Sequence, residues 1–130
     1  MGSDDLAELV GLKVLVVEDE ALVAMLLEDM LTDHGCEVVG AASRLSQALE
    51  LVGDPSLDFD AAILDVNLGG DPIFPVAEAL AARGAPFVFA TGYGAAGLPD
   101  SWRDRPTLQK PFSHHDVGRA LAEAVAAHRG

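Results

Sequence analysis

Short runs of consecutive apolar residues recur along this chain, and each breaks off at a polar or charged residue. Lys13-Val14-Leu15-Val16-Val17 stops at Glu18-Asp19-Glu20, and Val38-Val39-Gly40-Ala41-Ala42 stops at Ser43. Ala61-Ala62-Ile63-Leu64 ends at Asp65, and Phe87-Val88-Phe89-Ala90 ends at Thr91. Thr107-Leu108-Gln109 is shorter and runs into Lys110-Pro111-Phe112. A run that is apolar at every position marks a strand covered on both faces. Between the runs the period becomes helical. Val23, Leu26, Leu27, Met30 and Leu31 form one stripe, and Leu45, Ala48, Leu49 and Val52 a second. Val76, Ala79 and Leu80 form a third within 75–83, and Val117, Leu121, Ala124, Val125 and His128 a last. Gly35 is placed to end the first helix in a left-handed cap, and Ser43 to cap the second. Ser113-His114-His115-Asp116 has the form of a capping box.

Strands alternating with helices imply parallel βαβ units. Five such units in 130 residues make one α/β domain, a doubly wound five-stranded parallel sheet. Residues 1–11 read as a short leader and 12–130 as the domain. Residues 92–106 carry Gly92, Gly94, Gly97, Pro99 and Pro106, which predicts loop with at most a short helix. Eight basic and 21 acidic residues leave a formal charge of −13. Such a field repels nucleic acid and anionic lipid, so direct nucleic-acid binding is disfavoured. No apolar run approaches the ~18 residues of a membrane span. The single Cys36 excludes an intrachain disulfide framework and fits a reducing, cytoplasmic setting.

In parallel sheets of this kind, ligands bind outside the carboxyl ends of the strands. Glu18, Asp19, Asp65, Thr91 and Lys110 are the residues at those ends. Three carboxylates brought together repel, and a hard divalent cation such as Mg²⁺ relieves them. Asn67 is placed to add a backbone carbonyl. A hydroxyl at Thr91 and an ammonium at Lys110 suit an anion arriving beside the metal, with phosphoryl the obvious candidate. Asp65, central in the array, is the expected nucleophile, forming an aspartyl-phosphate.

The residues Val16-Val17-Glu18-Asp19-Glu20, Leu64-Asp65-Val66-Asn67, Ala90-Thr91-Gly92 and Lys110-Pro111-Phe112 occur in order, each at a strand end. With them the chain resembles the receiver domain of bacterial two-component response regulators over about residues 12–128. The resemblance implies a flavodoxin-like (βα)5 sandwich, here with a reduced or irregular fourth helix. It implies that Asp65 accepts a phosphoryl group from a sensor histidine kinase. It implies that Glu18, Asp19, Asp65 and the Asn67 carbonyl serve Mg²⁺, that Thr91 and Lys110 answer the phosphoryl group, and that the Lys110–Pro111 bond is cis. Output then needs a downstream protein partner. Receivers usually carry an aromatic three residues before the lysine; Thr107 stands there, with Tyr93 or Phe89 as substitutes. Phe89-Ala90-Thr91-Gly92-Tyr93-Gly94 resembles a subfamily whose members often stand alone.

Two other readings compete. A Mg²⁺-dependent phosphohydrolase would turn over its aspartyl-phosphate, but usually needs an acid two residues after the nucleophile, where Asn67 stands. A binding-only pseudo-receiver would not need the intact site. His114 and His115, in the first turn of a helix, read as solvated rather than as ligands.

Overall fold

The structure is a computed structural model that describes residues 9–92 and 98–129. Tyr93 lies outside the described residues. Five strands, β1 (Lys13–Val17), β2 (Glu37–Ala42), β3 (Ala61–Asp65), β6 (Phe87–Thr91) and β7 (Thr107–Gln109), form a parallel sheet in the order β2-β1-β3-β6-β7. A small antiparallel pair, β4 (Asn67–Leu68) and β5 (Asp71–Pro72), follows β3. Four helices complete the described fold: α1 (Ala21–Asp33), α2 (Leu45–Gly53), α3 (Phe74–Arg83) and α4 (His114–Arg129).

Alternation along the strands divides the interior into two cores. Val14, Val16, Ile63, Val88 and Leu108 face one way, against Leu27 and Leu31 of α1 and Val117 and Leu121 of α4. Leu15, Val17, Leu64, Phe87 and Phe89 face the other, against Ala48 and Val52 of α2 and Val76 and Leu80 of α3. Covering both faces of the sheet requires strands without polar alternation, as the apolar runs predict. The expected doubly wound sheet is therefore present.

Several local expectations shift. Leu26, assigned to the buried stripe of α1, is 49% exposed and shares an open face with Leu22 and Met25. The helix is turned so that Leu27 and Leu31 point inward. Ser43 does not cap α2. Arg44 is the N-cap, and Ser43 instead donates its N–H to Gln47 Oε1 at 3.2 Å. Gly35 does terminate α1 at φ +87°, where a side chain would be strained. The box at α4 closes reciprocally: Ser113 N–H donates to Asp116 Oδ2 at 3.0 Å, and Asp116 N–H to Ser113 Oγ at 3.2 Å. Leu9, within the segment read as a leader, is fully buried in the α1/α4 core.

Between β6 and β7 the described residues 98–106 form a 3-10 turn at Asp100–Trp102 and no α-helix. Trp102 covers the sheet there. Its ring stacks on Phe74 at 6.4 Å and meets the edges of Phe87 and Phe89 at 5.9 and 5.8 Å. Arg105 lies over both Phe87 and Trp102. Aromatic area and edge-to-face geometry replace the aliphatic stripe a helix would supply.

Arg83, at the end of α3, ties down the segment that leads into β3. Its guanidinium donates to the carbonyls of Val52, Asp54 and Leu57 at 3.0, 3.3 and 2.8 Å and lies 4.4 Å from the centre of the Phe59 ring. Hydrogen bonds from a charged donor exceed neutral ones, and a flat fork can serve several carbonyls at once. Arg83→Ala is expected to lower the unfolding free energy by about 2 kcal/mol in urea titration, with Arg83→Lys restoring only part. An unchanged midpoint for Arg83→Ala would contradict this account.

Candidate functional site

The parallel register delivers the site. β1 is hydrogen-bonded to β3, β3 to β6 and β6 to β7, so their C-terminal ends stand side by side. Glu18 extends β1, donating its N–H to Ala42 O at 3.0 Å. Asp65 is the last residue of β3 and pairs with Ala90. Thr91 closes β6, and Lys110 N–H donates to Thr91 O at 2.9 Å. Among the described residues, three polar side chains are buried: Glu18 at 4% exposure, Asp65 at 6% and Thr91 at 5%. All three lie at this rim. Burying polar groups is costly unless something answers them, so their concentration at one place marks the site.

Glu18, Asp19 and Asp65 each offer a carboxylate oxygen, and these oxygens lie within 4.8 Å of one another. Lys110 Nζ reaches into the group, 3.0 Å from Glu18 Oε1 and 3.5 Å from Asp65 Oδ1. Glu18 Oε2 accepts the Glu20 N–H at 3.0 Å, so both of its oxygens are engaged. Asp65 Oδ1 also accepts the Asn67 N–H at 3.3 Å. The Lys110–Pro111 bond is cis.

The electrostatics follow from this crowding. Burial, the hydrogen-bonded Asp19 carboxyl and the charge of Glu18 push Asp65 up to about 7, against the pull of Lys110. Burial works against the charged form of Asp19 too, but hydrogen bonds from Asp65, from its own amide and from Gly69 outweigh it and hold that carboxyl below its ordinary value. Burial likewise opposes the Lys110 ammonium, yet its bond to Glu18 and the charges of Asp65 and Glu18 hold it above the usual lysine range.

The sequence-predicted residues Glu18, Asp19, Asp65, Thr91 and Lys110 thus come together. Asn67 stands beside them, its N–H on Asp65 and its Oδ1 accepting the Gly70 N–H at 3.0 Å. Phe89 is fully buried in the aromatic cluster under Trp102, and Thr107 Oγ1 donates to Arg105 O at 3.0 Å. One feature escaped the sequence reading. The loop after Asp65 is a hairpin whose Gly69 N–H donates to Asp19 Oδ2 at 3.0 Å. The adjacent glycines Gly69-Gly70 are the signal that could have found it.

A parallel sheet with an acidic cup and a lysine at its carboxyl rim is the arrangement that the receiver resemblance calls for. Residues 14–98 match the response regulator receiver domain family, and the chain belongs to that family. It is 36% identical over 121 residues to the transcriptional regulatory protein PdtaR of Mycobacterium tuberculosis, covering 90% of this chain and 58% of that protein. The chain therefore spans a little over half the length of that relative. It is 48% identical to SdrG from Sphingomonas melonis Fr1, with a TM-score of 0.75 over 92% of this chain and 98% of that one. The BeF3-activated conformation of SdrG superposes with a TM-score of 0.74 at 50% identity, covering 87% of this chain and 95% of that one. The chain is a receiver domain of the two-component response regulators, a class of signalling regulators rather than classical enzymes. No helix among the described residues is long and apolar enough to cross a membrane.

The raised Asp65 carboxyl makes stability depend on pH. The folded state keeps a proton, up to about pH 7, that the unfolded chain releases near its ordinary value of about 4. This contribution is fully present below about pH 4 and is lost as pH rises towards 7. Without divalent cation, Asp65→Asn is expected to melt at least ~5 °C above the parent at pH 8 and close to it at pH 4. A gap that does not change with pH in thermal melts would overturn this reading of Asp65.

Proposed function

We propose that Asp65 accepts a phosphoryl group from the phosphohistidine of a sensor histidine kinase, in a Mg²⁺-dependent reaction, and that the change is read by a protein partner in the cytoplasm. The single observation that carries this reading is the collection of every buried polar side chain among the described residues at one rim, around one aspartate.

The donor set suits the metal. Three carboxylates offer hard oxygens within 4.8 Å of one another, and the ammonium that reaches them is that of Lys110. Glu18, Asp19, Asp65 and the backbone carbonyl of Asn67 would hold Mg²⁺, whose charge makes the Asp65 carboxylate available at neutral pH and screens the incoming phosphoryl oxygens. In the transfer, an Asp65 carboxylate oxygen bonds to phosphorus as the phosphorus–nitrogen bond of the donor breaks. The imidazole leaves with the bonding pair. Lys110 already sits 3.5 Å from Asp65, and the Thr91 strand is tied to its backbone, so both can follow the new charge of about −1.5 to −2. Charge-assisted bonds of roughly 1.5–3 kcal/mol each are large enough to bias a two-state segment. The segment that responds is 92–106; residues 93–97 of it lie outside the described residues, and 98–106 rest on the sheet through Leu98, Trp102 and Arg105. That the relative SdrG has a BeF3-activated conformation supports the same reading.

The hydrolase alternative is less well supported. The Asn67 side chain holds the Gly70 amide, and an amide cannot serve as the second acid.

Acetyl phosphate with Mg²⁺ is expected to add the mass of one phosphoryl group to the protein, with none added to Asp65→Asn or when the metal is chelated. Equal labelling of the parent and Asp65→Asn in intact-mass spectra would refute the assignment.

A further inference from the structure

The hairpin after Asp65 is built more firmly than a surface loop requires. Its two strands are two residues each, joined by Gly69 at φ +61° and Gly70 at φ +94°. Positive φ at both central residues is the tight hairpin turn that only small or Asn-like residues adopt without strain. Three anchors hold it. Leu68 is 1% exposed in the core against α2 and α3, Asn67 Oδ1 accepts the Gly70 N–H, and Ile73 N–H donates to Val66 O at 3.0 Å. The result of this construction is one directed contact, the Gly69 N–H on Asp19 Oδ2 at 3.0 Å. A Cβ on Gly69 would stand 3.9 Å from that same oxygen, ordinary contact, so glycine is required there by its backbone angle and not by space.

We infer that the Gly69-Gly70 turn is a positioning and selectivity element for the cation. Its Gly69 amide holds one oxygen of Asp19 and leaves the other for the metal. This rests on the proposed Mg²⁺ site. A donated hydrogen places partial positive charge against Oδ2 and lowers the worth of that oxygen to a cation. Asp19 then binds through one oxygen. Mg²⁺, small and six-coordinate, is satisfied by single oxygens and water, whereas Ca²⁺ takes six to eight oxygens and gains from carboxylates that supply both. An amide fixed on Asp19 therefore favours the smaller ion. Groups that orient a ligand in this way typically contribute about 10–100-fold in affinity.

The test is calorimetric titration of the whole chain with MgCl2 and with CaCl2. Gly69→Val, which disfavours positive φ, is expected to weaken Mg²⁺ about ten-fold and Ca²⁺ much less, so the preference narrows. Gly69→Asn, which tolerates positive φ, is expected to restore it. Asn67→Ala, which removes only the side-chain clamp on Gly70, gives a second variant with a change in the same direction. In amide NMR of the parent, the Gly69 N–H is expected to remain hydrogen-bonded when Mg²⁺ is added. Equal weakening of both ions, an unchanged ratio in both variants, or release of that amide on Mg²⁺ binding overturns the inference and leaves the metal site standing. A parent chain that takes up no Mg²⁺ overturns the underlying proposal instead.

Discussion

Repulsion among Glu18, Asp19 and Asp65 is the constraint around which this molecule is arranged. Three carboxylate oxygens within 4.8 Å of one another, two of the residues buried, have one ammonium among them. Such a cluster persists only where the backbone leaves it no freedom to spread. The parallel ladder supplies that rigidity: β1, β3, β6 and β7 are paired along their apolar lengths, so their ends cannot separate without breaking the sheet. Burial of Val16, Val17, Ile63, Leu64, Val88 and Phe89 on the two faces thus offsets the cost of charge at the rim. Stability is concentrated in the sheet and given up at its edge.

Lys110 shows how the local balance is struck. It lies nearer to Glu18, at 3.0 Å, than to Asp65, at 3.5 Å, and Glu18 is also anchored by the Glu20 amide. The ammonium is therefore held in the cup by a partner other than the central aspartate. A lysine bound only to Asp65 would neutralise it and leave Glu18 without its ion pair. Holding it through Glu18 keeps it within reach while Asp65 retains its raised carboxyl.

The features legible in the sequence were those with a strong, local signal. Strands covered on both faces read as unbroken apolar runs, and their polar terminators are the residues that the sheet brings together at its rim. Gly35 and the Ser113/Asp116 box were legible because each depends on chemistry within a few residues. What was not legible depended on partners far away in sequence. Leu26 and Leu27 fit the helical period equally well, and only the position of α4 decides which faces inward. The pairing of Val14 with Val38 but Leu15 with Gly40 puts an irregularity in β2 that Val38-Val39-Gly40 cannot signal, because either register buries apolar atoms. A Cβ at Gly40 would stand 2.8 Å from Leu15 Cδ2, so that glycine lies close against a side chain of another strand. The hairpin at Asn67–Pro72 lacked the alternating flanks that distinguish a hairpin from a glycine-rich loop.

Residues 98–106, between β6 and β7, reach the sheet through a few large side chains. A helix there would cover Phe87 and Phe89 with several side chains spread along its length, and no single residue would control the contact. Here Trp102 meets Phe74, Phe87 and Phe89, Arg105 closes over it, and Leu98 is buried in the same core. Phe87, Phe89 and Thr91 alternate along β6, so they share one side of the strand. Thr91, at the rim, is therefore continuous with the surface on which Trp102 rests. Much of the cover is concentrated in one ring, which cannot be half removed without exposing the cluster beneath. A packed contact of that kind has discrete arrangements rather than a graded response. Among the described residues, the link between rim and surface therefore runs largely through one aromatic side chain.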